Sequence, residues 1–153
     1  LTQVAGRAGR AERPGEVMLQ TRNPEHEVLR YAMRHDYDHF AASALEQRRL
    51  LSYPPFGRLV RIEFKGPDES EAEAAAEAWA KAFRPAQGIQ VMGPLPAVIA
   101  RIQKQYRFHV ILKASRNVSP QQLRESIRAT GYPFRNGRSG VRVLVDMDAI
   151  SLF

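Results

Sequence analysis

The stretch Arg58-Leu59-Val60-Arg61-Ile62-Glu63-Phe64-Lys65 decides the fold. Val60, Ile62 and Phe64 alternate with Arg61, Glu63 and Lys65, and a period of two places the apolar set on one face of a half-buried strand. Just downstream, Asp68 with Glu71 three residues on forms a capping box. It opens a helix whose spacing buries Ala72, Ala75, Ala76, Trp79 and Phe83. Glu77 and Lys81, four apart on its outer side, make an ion pair of small value. Ile89–Met92 reads as a short strand broken by Gly93-Pro94. Val98–Ile102 and Tyr106–Ala114 read as a hairpin around Gln103-Lys104-Gln105, with Phe108, Val110 and Leu112 sharing one face. Ser119-Pro120-Gln121-Gln122 is a second capping box, opening a helix with Leu123 and Ile127 inward that stops at Gly131. Val141, Val143, Val145 and Met147 then alternate as a last strand.

From Arg58 onward the order is β-α-β-β-α-β, an α+β class with the ferredoxin-like, split βαβ plan. Two helices then cover one face of an antiparallel sheet and leave the other available. Upstream, residues 16–21 read as a strand, and Asn23-Pro24-Glu25 as an N-cap with Pro at the first helical position, opening a helix to about Arg34. Asp36 caps a second helix with Tyr37, Phe40, Ala41, Ala44 and Leu45 on one face. Tyr53-Pro54-Pro55-Phe56 enforces an extended loop. The expected segments are 1–22, the end of one unit; 23–52, a helical connector; and 53–153, the α+β domain.

The 153 residues suit one domain, or one plus a fragment of another, and 44% hydrophobic with 25% charged residues is ordinary globular chemistry. No run of about 18 uncharged apolar residues occurs, so no membrane span is expected. The start at Leu1, with no signal-peptide pattern, reads as a piece of something longer. The chain has no cysteine, which excludes disulfides, thiolate zinc sites and cysteine nucleophiles from it. The net charge is +7, and residues 1–97 are neutral, with 13 Lys/Arg against 13 Asp/Glu. The excess sits in residues 98–142, where ten bases, among them Arg101, Lys104, Arg107, Lys113, Arg116, Arg124, Arg128, Arg135, Arg138 and Arg142, face Glu125 alone. Solubility favours mixed signs, so this imbalance points to an anionic partner.

The most specific string is Leu1-Thr2-Gln3-Val4-Ala5-Gly6-Arg7-Ala8-Gly9-Arg10. Two arginines three apart, each after a glycine, can aim two guanidinium forks at one phosphate while the backbone comes close. The pattern Q-x-x-G-R-x-G-R resembles motif VI of superfamily 2 helicases. LTQVAGRAGR, GEVMLQT, NPEH, RRLLSYPPFGRLVRI, a basic YRF strand and VDMD follow in an order that resembles the PriA (primosomal protein N-prime) family of replication-restart helicases, over essentially the whole chain. It departs at Ala149, where that family usually has Pro.

The resemblance implies a cytoplasmic 3′-to-5′ DNA helicase that recognises stalled forks, with Gln3, Arg7 and Arg10 facing the ATP γ-phosphate. It implies ATP and Mg²⁺, and zinc on cysteines, in the parent protein. No phosphate loop or Mg²⁺ motif is present here, so the fragment alone is expected to be inactive and to hold no cofactor or metal. Implied partners are forked and single-stranded DNA, the acidic tail of the single-stranded DNA-binding protein, and other primosome and helicase-loading proteins, with the chain itself a monomer. Carried over, Arg116 grips that tail's C-terminal carboxylate, with Gln121 (or Gln122) beside it and Lys113 nearby. The residue reading agrees in part: a guanidinium beside a helix N-terminus suits an anion. DNA contacts fall on Arg101, Lys104, Arg107, Arg124, Arg128, Arg135 and Arg138. The alternative is a stand-alone nucleic-acid-binding module of ribosomal-protein type.

Weaker signals take plainer readings. Tyr106-Arg107-Phe108 offers base stacking, but its spacing with Val110 and Leu112 favours core packing. The strand also lacks the glycines of an RNA-recognition motif. His35 and His39 with Asp36 and Asp38 have metal-like spacing, yet Asp36 reads as a cap. Asp146 and Asp148 lie on one side of a strand and read as strand-end hydrogen-bonding groups. His109 reads as an ordinary strand histidine.

Overall fold

The computed structural model describes residues 17–131 and 140–149. In chain order its elements are α1 (Glu27–Met33), α2 (Tyr37–Leu50), β1 (Gly57–Gly66), α3 (Glu69–Ala82), β2 (Ile89–Ile102), β3 (Gln105–Ser115), α4 (Pro120–Thr130) and β4 (Arg142–Met147). Two compact units divide the chain, one up to Gln47 and one from Arg48.

In the first unit, α1 begins later than the Asn23-Pro24 signal suggests. His26 is the N-cap: its backbone is extended and its Nδ1 accepts from Val28 N at 3.2 Å. Asn23 serves the preceding turn, its carbonyl accepting from His26 N. Asp36 Oδ1 accepts from His39 N and starts α2 as expected. Glu27 links the helices, accepting from Ser43 Oγ at 2.6 Å and Gln47 Nε2 at 3.0 Å. Phe40, Ala41 and Ala44 are only half-buried, and Tyr37 and Leu45 are exposed. Val17–Thr21 form no strand, contrary to expectation; an isolated extended segment has no ladder partner among the described residues.

The second unit is α+β, with a four-stranded antiparallel sheet in the order β2-β3-β1-β4. Register follows the alternation: Ile62 sits between Val110 of β3 and Val145 of β4, and Phe64 between Phe108 and Val143. Those side chains share one face, and α3 and α4 bury Ala72, Ala75, Ala76, Trp79, Leu123 and Ile127 against them. Trp79 stacks on Phe83 at 5.0 Å between ring centroids. Both caps form: Asp68 Oδ1 accepts from Glu71 N, and Ser119 and Gln122 make a reciprocal capping box. Phe108 is in the core, as its spacing implied.

Two local readings change. Gly93-Pro94 does not end β2; it lies at a register shift between Met92 and Leu95, and the strand runs on to Ile102. Gly93 has φ +95, and a Cβ there would lie 2.7 Å from His109 O, so only glycine suits this irregularity. The β2–β3 turn has two residues rather than three. Ile102 pairs with Gln105, and Gln103 and Lys104 both take positive φ, the tight hairpin geometry usually given to Asn-Gly.

Candidate functional site

Of the candidate side chains, Arg107 lies on the sheet's helix-free face and Arg116 on the loop joining β3 to α4. In the loop, Val118 N donates to Ser115 O at 3.1 Å, Ser115 N donates to Gly88 O at 2.8 Å, and Arg58 Nε donates to Val118 O at 3.3 Å. These bonds pin the loop and leave Arg116 and Asn117 exposed. A pocket of about 580 Å³ opens beside it, with Gln87, Ser115, Val118, Gln122 and Glu125 in its wall. Gln121 is exposed, and its Nε2 donates to Glu125 Oε1 at 2.9 Å. Gln122 is committed to the cap, its Oε1 accepting from Ser119 N. Lys113 does not join this group: its Nζ lies 5.5 Å from the centre of the Tyr53 ring.

On the open sheet face, Glu63 is the hub. Arg107 Nε and Nη2 donate to its Oε2 at 2.8 and 2.5 Å, and His109 Nε2 lies 3.1 Å from the same oxygen. A carboxylate only accepts, so Nε2 is the protonated nitrogen of His109. The side chains of Glu63, Arg107 and His109 are 12%, 19% and 8% exposed. Burial pushes the Glu63 carboxyl upward. The hydrogen bonds from Arg107 and His109, with the charges of both groups, outweigh it and hold Glu63 below its ordinary value.

Next to this cluster, Arg61 Nη2 donates to Asp146 Oδ2 at 3.0 Å. Asp148 lies in the turn after β4, 4.0 Å from Arg58 Nη1, so the two aspartates do not form a carboxylate pair. Arg101 covers the Tyr106 ring at 4.8 Å. Lys104 is exposed at the hairpin tip, and Arg124 and Arg128 are exposed on α4, on the other side of the sheet. The basic run of 98–142 is therefore split between two faces. Gln3, Arg7, Arg10, Arg135 and Arg138 lie outside the described residues.

In the first unit, His39 Nδ1 lies 2.8 Å from Asp36 Oδ1. That hydrogen bond raises the His39 imidazole and lowers the Asp36 carboxyl. Among the described residues no group of three or more His, Asp or Glu side chains gathers to hold a metal, and no helix is long and apolar enough to cross a membrane. Sequence reasoning missed the Glu63–Arg107–His109 cluster. Alternation placed each outward on its own strand, but only the β1–β3 register makes Glu63 face His109.

An α+β domain with cations on its open sheet face and an exposed arginine on a pinned loop beside a pocket is what the described residues define. The chain belongs to the family of the primosomal protein N C-terminal domain, whose model matches residues 49–150. It is 41% identical over 116 residues to the replication restart protein PriA of Synechocystis sp., covering 74% of this chain and 14% of that protein. It is 38% identical to the protein of the same name from Treponema pallidum, over 99% of this chain and 23% of the relative. For that of Bacillus subtilis the figures are 34%, 97% and 18%. The chain thus spans less than a quarter of the length of these curated relatives.

Proposed function

We propose that this chain is the C-terminal part of a replication-restart helicase, in which it docks the acidic tail of the single-stranded DNA-binding protein and contacts DNA. The observation that carries the reading is the loop before α4: its backbone is pinned at Ser115 and Val118, a pocket opens along it, and Arg116 is exposed on it just before the capped start of α4. Gln121 stands on the adjoining turn of α4 as a second donor, and Lys113 lies across the strand as a more distant charge. DNA contact falls on Arg101, Lys104 and Arg107 at the sheet, on Arg124 and Arg128 of α4, and on Arg135 and Arg138.

The strand order β2-β3-β1-β4 with both helices on one face supports a ferredoxin-like plan for the domain. Relatives that continue well beyond this length support a larger parent over a stand-alone module. In that parent, 3′-to-5′ unwinding would use ATP and Mg²⁺, with Gln3, Arg7 and Arg10 facing the γ-phosphate. Residues 1–22 would close its second motor lobe and 23–52 connect it to the 53–153 domain. Zinc on cysteines would belong to the rest of the parent, since this chain has none. Work at forks with other primosome proteins, in the bacterial cytoplasm and with the chain a monomer, completes the proposal.

The test is fluorescence anisotropy of a labelled acidic peptide ending in Asp-Ile-Pro-Phe. Arg116→Ala is expected to weaken binding at least about tenfold, the scale of one charge-assisted hydrogen-bonded pair. Equal affinity of variant and wild type would overturn the assignment.

A further inference from the structure

Three strands present cations side by side at one end of the open sheet face. Lys65 of β1 is paired across the ladder with Arg107 of β3 on one side and Arg142 of β4 on the other. Directly opposed residues of an antiparallel pair point to the same face, and strands lie roughly 4.8 Å apart, so the row spans about 10 Å. Like charges facing each other across a ladder are destabilising. The acids of this face do not relieve the row: Glu63 accepts from Arg107 and His109, and Asp146 accepts from Arg61. Asp68, next along the chain, accepts from Ser70 Oγ and Glu71 N. Among the described residues, the side chains of Lys65 and Arg142 have no hydrogen-bond or ion-pair partner, while their backbones pair in the ladder.

We infer that Lys65 and Arg142, flanked by Arg107, form a phosphate-binding row for the backbone of single-stranded nucleic acid. This deepens the DNA-contacting part of the proposed function and rests on it. By the alternation of β3, Tyr106 and Phe108 belong to the helix-covered side of the sheet, opposite Arg107. Phe108 is buried in the core and Tyr106 lies beneath Arg101, so neither ring is open to a base. Among the described residues, the outward positions of β1, β3 and β4 carry no Phe, Tyr or Trp, so the row offers no stacking, the usual second contribution in single-strand recognition. Recognition through phosphates alone is independent of sequence and steeply dependent on salt. The repulsion stored between opposed cations is relieved when a polyanion lies across them.

The experiment uses the 153-residue chain with labelled oligothymidylate and with oligouridylate of equal length, each titrated from 50 to 200 mM salt. Lys65→Gln with Arg142→Gln is expected to weaken binding about tenfold at 50 mM and to lower the slope of log K against log salt by about 1.4, at roughly 0.7 per single-strand phosphate contact. The same double variant is expected to melt no lower than wild type, because it removes opposed like charges. An equal charge change in the helical segment, Arg34→Gln with Arg49→Gln, is expected to leave the slope near that of wild type. Loss with both polymers supports contact with phosphates common to DNA and RNA; loss with oligothymidylate alone supports a DNA-specific row. Wild type that binds while K65Q/R142Q keeps the full slope would overturn the row and leave DNA binding standing. An R34Q/R49Q slope lowered as far would also overturn it. Wild type that binds neither polymer would overturn the row together with the DNA-contacting reading.

Discussion

Replacing Glu63 by Gln keeps the size of the side chain and removes its charge. Arg107 then keeps a positive charge at a largely buried position with only a neutral acceptor, and His109 loses its ionic partner. Three donors converge on one carboxylate oxygen, and the Arg107 and Glu63 side chains are 19% and 12% exposed. Hydrogen bonds to charged groups contribute about 1.5–3 kcal/mol, and leaving a buried charge unpartnered falls at the upper part of that range. An expected loss of about 2–3 kcal/mol in a unit of this size corresponds to a drop of roughly 8–20 °C in Tm. Urea denaturation of wild type, E63Q, Arg107→Met and the double variant would read the coupling. The double variant should recover part of the loss, because removing both partners leaves no isolated charge. A loss under about 0.5 kcal/mol for E63Q, or additive single losses, would refute the argument.

The same group fixes a pH dependence. Glu63 is held below its ordinary value near 4.5, so the folded state favours the ionised form. Its contribution is then complete above that ordinary value and is lost as pH falls through the lower folded value. The stability gap between wild type and E63Q should be constant at neutral pH and shrink below about pH 4.5. A gap that widened on acidification would show that burial, rather than the Arg107 and His109 bonds, dominates at Glu63.

Two further substitutions test the packing. Gly57→Ala would bring a Cβ to 2.2 Å from Ser52 O and 3.0 Å from Ala114 O, both backbone atoms with little room to move. It should cost about 1–3 kcal/mol by urea midpoint, and a neutral result would mean that the turn before β1 shifts freely. Trp79 is fully buried and its Nε1 has no hydrogen-bond partner. Trp79→Phe should therefore stay within about 1 kcal/mol of wild type, since loss of the orphan donor offsets the smaller ring, whereas Trp79→Ala should cost about 3–5 kcal/mol. Equal losses for the two would show that the indole N–H is satisfied.

The parts of this fold legible in the sequence are those set by local chemistry. Val60, Ile62 and Phe64 face inward because a strand alternates with a period of two, and Asp68 and Ser119 cap their helices because side-chain oxygens reach orphan N–H groups. The errors fall where distant chain decides. Gly93-Pro94 carries the composition of a strand breaker, yet β3 supplies ladder partners on both sides of it and β2 continues. Gln103-Lys104 lacks the usual glycine, yet the pairing of Ile102 with Gln105 imposes positive φ on both. Asn23-Pro24 reads as a helix start, but the imidazole of His26 takes the cap. At the candidate site, the sequence shows the exposed place of Arg116 before a capping box, and its tail contact belongs to the proposal. Lys65 with Arg142 was not legible, because 77 positions of sequence separate two residues that only the β1–β4 register places opposite each other.

That register also explains why charge counted along the chain misleads about charge in space. The run 98–142 holds the net excess, but α4 carries Arg124 and Arg128 to one side of the sheet while β3 and β4 carry Arg107 and Arg142 to the other. Lys65 belongs to the stretch that is neutral by sequence, and Glu63 in that stretch neutralises Arg107 rather than its own neighbour. Among the described residues, Lys65 and Arg142 stand opposite each other on the open face with no acid partner, one from each charge region. On the proposed reading the two faces then serve different anions. The loop at Arg116 offers a point contact beside a pocket, suited to a terminal carboxylate with an apolar end, and the sheet row offers a line, suited to successive phosphates. Salt should separate the two, since a contact seated partly in an apolar pocket loses less on screening than a row of solvated cations does. Tail-peptide affinity falling with salt as steeply as oligonucleotide affinity would mean that the same cations hold both.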